Sequence, residues 1–220
     1  MLNNQSAMFP YIYLASQSPR RQELLKQIGV KYEMLAPAPG EDTESIEAIH
    51  PNEKAHDYVK RVTLAKSAAA LERHIERALP WAPILCADTT VSLPGHIGGE
   101  ILGKPFDAID ADRILKLLSG KTHQVLTAIA LRISRTSEPV SAVQISEVTF
   151  AKLSEDQITK YIASGEAFGK AGAYGIQGLG SVLIESITGS YSGIMGLPLA
   201  ETSQLLNLAQ VVYPLSTTHE

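Results

Sequence analysis

Two arginines stand at the start of a predicted helix near the beginning of this 220-residue chain. In the segment SQSPRR, Ser18 fits an N-cap and Pro19 the first helical position, so Arg20 and Arg21 fall in the first turn. Cations there oppose the helix dipole, at a cost of about 0.3–1 kcal/mol each. A bound phosphate would reverse that cost, because free N–H groups and arginine side chains both suit phosphate oxygens. The alternative is a pair of solvated arginines on a surface turn.

A carboxylate that follows an apolar run is the second feature of the sequence that suggests chemistry. The apolar run Ile84–Ala87 gives way to Asp88, Thr89 and Thr90. In open α/β sheets, ligands gather beyond the carboxyl ends of strands. A carboxylate at that place holds a divalent metal or takes a proton from water. The alternative is an aspartate that caps a turn.

Residues 165–180 form a glycine-dense segment that holds six of the chain's 16 glycines. Such density permits close approach of the backbone to a ligand. The segment also carries Lys170 and Gln177. It is not a P-loop, because its glycine–lysine spacing is one residue short and Ala171 stands where Ser or Thr would bind magnesium. The alternative is a flexible connector.

Alternating strands and helices must position these groups. The pattern predicts one α/β or α+β domain around a twisted sheet, over residues 10–210, with loose termini at 1–9 and 211–220. The strongest predicted elements are a strand at 11–15, a helix from 19 to Gly29, a long helix over 52–79, a strand at 84–93, a turn at 94–99, a helix over 107–118, paired strands at 123–133 and 140–150, a helix opened by the capping box Ser154–Gln157, and a last helix at 198–208.

Composition narrows the function classes. Hydrophobic residues make up 45% and charged residues 19%, which is typical of a globular protein with a core. The sequence contains no apolar run of about 18 residues, so it predicts no membrane span. The net charge of −4 and the lack of a basic stripe argue against nucleic-acid binding. The single cysteine, Cys86, excludes a disulfide within the chain, favours a reducing cytosol and is expected to be buried.

Six segments, in order along the chain, together resemble the Maf family of nucleotide pyrophosphatases. They are LASQSPRR ending at Arg21, ADT ending at Thr89, ILGKP ending at Pro105, LSGKTHQV ending at Val125, KAGAYGIQG ending at Gly178, and GLP ending at Pro198. The resemblance implies a two-lobed α/β fold, with a mixed twisted sheet and flanking helices around a deep cleft. It also implies a cytoplasmic location, a divalent cation (Mg²⁺ or Mn²⁺), a homodimer, and hydrolysis of nucleoside triphosphates between the α and β phosphates, in a family linked to arrest of cell division.

Within that family the chain resembles the branch acting on dTTP, UTP and modified uridine nucleotides. Arg21, Thr89 and Gln177 match the three specificity positions of that branch. The branch acting on 7-methyl-GTP has tryptophan where this chain has Arg20. One departure is Gly169, where the family usually has aspartate, and this puts a local salt bridge in doubt.

Combined with the resemblance, these residues suggest a mechanism. Asp88 is expected to be the general base and a metal ligand, and Glu41 is expected to be a second catalytic carboxylate that helps hold the same metal or water. The expected phosphate-binding residues are Ser16, Arg20, Lys66 and Lys104, with Lys104 also counted as catalytic, and the expected base-contacting residues are Arg21, Thr89 and Gln177. Glu41, beside Glu44 and Glu47, is equally compatible with plain solvated acidity, as Lys66 and Lys104 are with surface charges.

Two other functions remain open on the sequence alone. The first is a purine-directed pyrophosphatase of the same fold, which Arg21, Thr89 and Gln177 disfavour. The second is a non-catalytic division regulator that binds nucleotide as a signal, which an intact Asp88, Glu41 and Lys104 disfavour. A nucleic-acid-binding role ranks last, given the negative net charge.

Overall fold

A computed structural model describes residues 8–38, 40–41, 45–94 and 100–217. Most of the turn expected at 94–99, and the outermost parts of the termini expected to be loose, lie outside these residues.

One mixed sheet forms the centre of the fold. Its order is β2-β1-β3-β5-β6-β7, and β4 pairs with β3 beside β1. The strand pairs β1–β2 and β1–β3 are parallel and the others are antiparallel. The strands are β1 (Ile12–Leu14), β2 (Tyr32–Met34), β3 (Ile84–Leu93), β4 (Glu100–Leu102), β5 (Thr122–Arg132), β6 (Val140–Phe150) and β7 (Ile184–Thr188).

Six α-helices accompany the sheet in the described part of the chain. They are α1 (Pro19–Gln27), α2 (Ala55–Glu76), α3 (Ala108–Leu118), α4 (Glu155–Ala163), α5 (Tyr191–Met195) and α6 (Leu199–Leu208), and short 3₁₀ turns cover Ser45–Glu47, Ala171–Ala173 and Leu179–Leu183. Local signals start several of them. Asp107 accepts a hydrogen bond from Asp110 N–H at the start of α3, and both bonds of the predicted capping box are present at Ser154.

The helices cover the two faces of the sheet unequally. On one face α2 packs with Ala70 against Tyr13, Ile84 and the buried Cys86. The other face carries the largest apolar cluster, which includes side chains from α1, α3, α4 and α6. Alternate residues of β3 therefore meet different surroundings, because successive strand residues point to opposite faces.

An opening lies along one edge of β3. On that side β1 pairs with β3 only as far as Leu85, and β4 pairs with it from Val91 onward. No described strand covers that side of residues 86–90. Other chain segments can therefore reach the middle of β3 from this edge.

The predicted α/β fold class is confirmed, and most predicted elements lie within a few residues of their expected bounds. The short elements β4 and α5 were not predicted, because three and five residues leave too little periodicity. Phe9 bridges to Val211, and Val211 and Tyr213 are buried, so packing extends slightly past the expected boundaries. The single-domain organisation stays a prediction.

Candidate active site

A cavity of about 470 Å³ opens at the uncovered edge of β3. Its walls come from the start of α1, the middle of β3, the segment ending at Glu47, α2, the glycine-dense segment and the end of α5. All the site residues predicted from the sequence line this one cavity: Ser16, Arg20, Arg21, Glu41, Lys66, Asp88, Thr89, Lys104 and Gln177.

Asp88 and Thr89 are neighbours in sequence but contact different sides of the site. Asp88 faces α2, where its carboxylate meets Lys66. Thr89 faces the other way, where its hydroxyl meets Arg21 of α1. Both line the cavity because, at this point, no described strand covers the edge of β3 that faces away from β5. The alternation of a strand thus supplies an acid on one side and a neutral hydroxyl on the other.

Asp88 belongs to a chain of alternating carboxylates and ammonium groups. Lys66 Nζ donates to Asp88 Oδ1 and to Glu47 Oε1, both at 2.6 Å. Lys104 Nζ donates to Glu47 Oε2 at 2.9 Å. Asp88 is only 8% exposed, so the cost of burying its charge is offset by this pairing.

The pKa shifts of Glu47 and Lys66 favour the charged form of each group. Burial raises the pKa of Glu47, but Lys66 and Lys104 outweigh burial, so the pKa lies below its ordinary value. Burial lowers the pKa of Lys66, but Asp88 and Glu47 outweigh it, and that pKa lies above its ordinary value. Both groups are therefore ionised at neutral pH.

Glu47 is held by contacts from α2. Tyr58 Oη donates to the Glu47 carbonyl at 3.0 Å. Arg61 donates to the carbonyls of Ile46 at 3.2 Å and Ala48 at 2.8 Å. The same guanidinium forms a two-bond pair with Glu53, at 2.6 and 2.8 Å. These bonds place the carboxylate of a short 3₁₀ turn beside Lys66.

Glu41 takes a different position from the one that the sequence suggested. Its carboxylate forms a two-bond ion pair with Arg73 and also accepts from the Ala38 N–H at 3.0 Å. Hydrogen bonding from Arg73 holds the pKa of Glu41 below its ordinary value. Glu41 lines the cavity, but the acid joined to Asp88 through Lys66 is Glu47. The sequence marked Glu47 only as one of several acids in a polar loop, and no local pattern distinguishes it from Glu41.

The start of α1 supplies the cationic wall of the cavity. Ser18 occupies the N-cap position without a side-chain capping bond. Arg21 donates to Gly196 O at 2.8 Å, to Ser16 Oγ at 3.0 Å and to Thr89 Oγ1 at 3.4 Å. Burial lowers the pKa of Arg21. These acceptors are all neutral, so no described residue forms an ion pair with this guanidinium, and it can bind an anionic or carbonyl-bearing ligand.

The glycine-dense segment forms the opposite wall. Gly172 has φ +71° and its N–H donates to Gly103 O at 3.1 Å, which docks this segment beside Lys104. Lys170 lines the cavity, and burial together with nearby Arg20 lowers its pKa. Gln177 is exposed and also lines the cavity. The sequence had noted Lys170 without assigning it a role.

The carboxylates suit a hard divalent cation. The described residues contain no group of three or more His, Cys, Asp or Glu side chains placed to hold a metal. Asp88 and Glu47, each 2.6 Å from Lys66 Nζ, instead form a pair. Mg²⁺ is usually held by one or two carboxylates together with substrate phosphates and water. The donor set thus fits a cation that arrives with a phosphate ligand.

Comparisons with known proteins agree with the resemblance found in the sequence. The family model of Maf-like proteins matches residues 11–209. A dTTP/UTP pyrophosphatase of Ralstonia nicotianae is 53% identical over 94% of this chain and 97% of its own length. One of Cupriavidus pinatubonensis is 54% identical over 93% and 99%, and one of Polaromonas sp. is 55% identical over 90% and 96%. Among the described residues, no helix is both long and apolar enough to span a membrane.

Proposed function

This chain belongs to the Maf-like protein family, and we propose that it hydrolyses dTTP and UTP to the monophosphate and pyrophosphate. The names of its relatives and the match at Arg21, Thr89 and Gln177 support this substrate class. Modified uridine nucleotides are further substrates under this proposal, which makes the protein a house-cleaning enzyme of the nucleotide pool.

One observation carries the proposal: a single cavity joins Asp88 to the start of α1. Phosphoryl transfer requires charge neutralisation, an aligned water and a stabilised leaving group. The α1 N-terminus with Arg20 offers the first, and a buried carboxylate offers the second. The two features would have no common substrate if they lay on separate surfaces.

The phosphate-binding cations fall into two groups. Lys66 and Lys104 are paired with Asp88 and Glu47, so their charges are already balanced. Arg20 donates only to the Met195 carbonyl among its described hydrogen-bond partners, at 3.4 Å. We assign the first contact with the triphosphate to Arg20, Ser16 and the free N–H groups of α1, because anions are stabilised there.

Asp88 acts as the general base in this proposal. It takes a proton from a water whose oxygen attacks the α-phosphorus, while the bond from that phosphorus to the bridging oxygen breaks and pyrophosphate leaves. Binding of the triphosphate gives Lys66 an anionic partner in addition to Asp88 and Glu47, which frees Asp88 to face the water. Lys66 and Lys104 then stabilise the charge on the leaving group.

Asp88 and Glu47 would hold the divalent metal, and Glu47 thereby takes the part that the sequence had given to Glu41. When bound, Mg²⁺ or Mn²⁺ neutralises phosphate charge and lowers the pKa of a bound water. Arg73 forms an ion pair with the carboxylate of Glu41, so we assign Glu41 a structural role in the cavity wall instead of metal binding.

The base is placed between Arg21 with Thr89 on one side and Gln177 on the other. The Gln177 amide donates and accepts at once, which matches the O4 and N3–H edge of uracil or thymine. Thr89 is itself held by Thr127 Oγ1 at 2.9 Å. Thr127 in turn donates to the Gly193 carbonyl at 2.8 Å.

A substrate panel tests the proposal. The purified chain is incubated with dTTP, UTP, CTP, ATP, GTP and 7-methyl-GTP, with Mg²⁺ or Mn²⁺ and with or without a chelator, while monophosphate and pyrophosphate are measured. We expect the highest kcat/KM for dTTP and UTP, and loss of activity with chelator. A preference for purines would favour the purine-directed alternative, and binding of UTP without products would favour the regulator.

The remaining expectations are predictions of the same proposal. They are a homodimer, a cytoplasmic location, the absence of a nucleic-acid partner and a link to arrest of cell division. Light scattering of the purified protein tests the homodimer. The outcome of the substrate panel does not depend on any of these four predictions.

A further inference from the structure

Glu166 lies near the start of the glycine-dense segment, and its carboxylate accepts from three donors. Its Oε2 accepts from Leu179 N–H at 2.8 Å, and its Oε1 accepts from Gly180 N–H at 2.9 Å and Tyr161 Oη at 3.0 Å. Burial raises the pKa of Glu166, but the N–H groups of Gly180 and Leu179 outweigh it, and the pKa lies below its ordinary value. The carboxylate is therefore charged at neutral pH, and its bonds are charge-assisted.

Tyr161 links the Glu166 carboxylate to Gly175, at the other end of the turn formed by residues 175–180. Its hydroxyl donates to Glu166 and accepts from Gly175 N–H at 3.1 Å. Residues 175, 179 and 180 are thus tied to one carboxylate, directly or through one hydroxyl. Gln177 lies between these fastened points and projects into the cavity.

The packing leaves no room for a side chain at Gly178 or Gly180. A Cβ at Gly178 would lie 2.1 Å from Glu166 Oε2. A Cβ at Gly180 would lie 2.6 Å from the Gly175 carbonyl. The turn is closed on itself and on the carboxylate, so the position of Gln177 follows from theirs.

We propose that Glu166, with Tyr161, is a specificity-positioning residue that holds Gln177 against the substrate base. Neither of the two residues is among those that line the cavity, so both act through the turn. Lys170 Nζ also donates to the Glu166 carbonyl, at 2.5 Å, which links the same residue to the phosphate side of the cavity. This inference rests on the proposed function, because it assumes that Gln177 contacts uracil or thymine.

The test compares two substrates that share a triphosphate but differ in the base. UTP and ribose 5′-triphosphate are hydrolysed by wild type, Glu166→Gln and Tyr161→Phe, with Glu155→Gln, an exposed residue at the start of α4, as the matched control. A glutamine keeps the size of Glu166 but directs N–H groups toward backbone N–H groups. Tyr161→Phe removes one hydroxyl and keeps the ring, so it serves if Glu166→Gln fails to fold.

We expect the kcat/KM advantage of UTP over ribose 5′-triphosphate to fall at least tenfold in Glu166→Gln and about threefold in Tyr161→Phe. The kcat/KM for ribose 5′-triphosphate should stay within twofold of wild type, and Glu155→Gln should match wild type on both substrates. Combining Glu166→Gln with Gln177→Ala should lower the advantage no further than Gln177→Ala alone, because both act through one contact.

An unchanged UTP advantage in the folded variants would overturn this positioning role, as would an equal loss on both substrates. Either result would leave the proposed activity intact. A wild-type enzyme with no preference for UTP over ribose 5′-triphosphate would overturn both the base contact and its positioning.

Discussion

Substituting Asp88 by asparagine keeps the side-chain shape and removes the charge. Asp88 accepts from Lys66 at 2.6 Å and is 8% exposed. The amide oxygen of asparagine still accepts this bond, and Glu47 still neutralises Lys66. The stability loss should therefore be roughly 1 kcal/mol, the difference between a charge-assisted and a neutral hydrogen bond.

Turnover should change far more than stability. An amide does not take a proton from water, and a positioned general base contributes about 10²–10⁴ in rate. This loss corresponds to about 2.7–5.4 kcal/mol of transition-state stabilisation, at about 1.36 kcal/mol per factor of ten. If Asp88 also holds the cation, the metal concentration for half-maximal activity should rise as well.

The assay measures pyrophosphate release from UTP over a metal series, together with urea unfolding of the same samples. Asp57→Asn, an exposed aspartate in the first turn of α2, is the control and should match wild type. Near-normal release by folded Asp88→Asn at saturating metal would refute the base role. Loss of cooperative unfolding would show that Asp88 is needed for the fold instead.

Three further predictions follow from other parts of the chain. Gln177→Glu should lower kcat/KM for UTP and dTTP about tenfold or more, because an acceptor replaces a donor, and unchanged relative rates across a nucleotide panel would argue against the base contact. Hydrogen bonding from Arg61 lowers the pKa of Glu53 to about 2, so the stability from this pair is present above about pH 4.5 and is lost as pH falls toward 2. Urea unfolding should show Glu53→Gln less stable than wild type by at most about 1 kcal/mol at pH 7, with the difference shrinking as pH falls through about 2, and a gap of the same size at pH 2 would contradict this. Gly172→Ala should be about 1–3 kcal/mol less stable than Gly169→Ala. The angle φ is near +70° at both positions, but an added Cβ at 172 would lie 2.8 Å from a valine methyl of β3, whereas none of the described atoms lies within 4 Å of one at 169. Equal unfolding midpoints of the two variants would refute the steric argument.

Local signals in the sequence determined much of the fold. Pro19 starts α1 and Gly29 follows its end at φ +73°. The apolar run predicted β3 with its observed bounds, and the capping box predicted the start of α4. These features depend on residues a few positions apart, so they are legible without the tertiary structure.

The sequence also predicted nine of the side chains that line the cavity, largely because six motifs matched a family pattern. Arg20, Asp88 and Gln177 lie far apart in the chain, and spacing alone does not place them together. Their shared cavity arises where β1 ends and β4 has not yet begun beside β3. That opening depends on strand register, which the sequence pattern did not predict.

The tertiary structure alone decided which acid shares Lys66 with Asp88. Glu41 and Glu47 stand in one polar segment with similar neighbours, and residue type does not separate them. Arg73 pairs with the carboxylate of Glu41, whereas Arg61 binds the carbonyls on either side of Glu47, whose carboxylate pairs with Lys66. The ion pair formed by an acid in a loop depends on contacts with a helix that is distant in sequence. A local sequence pattern does not reveal such contacts.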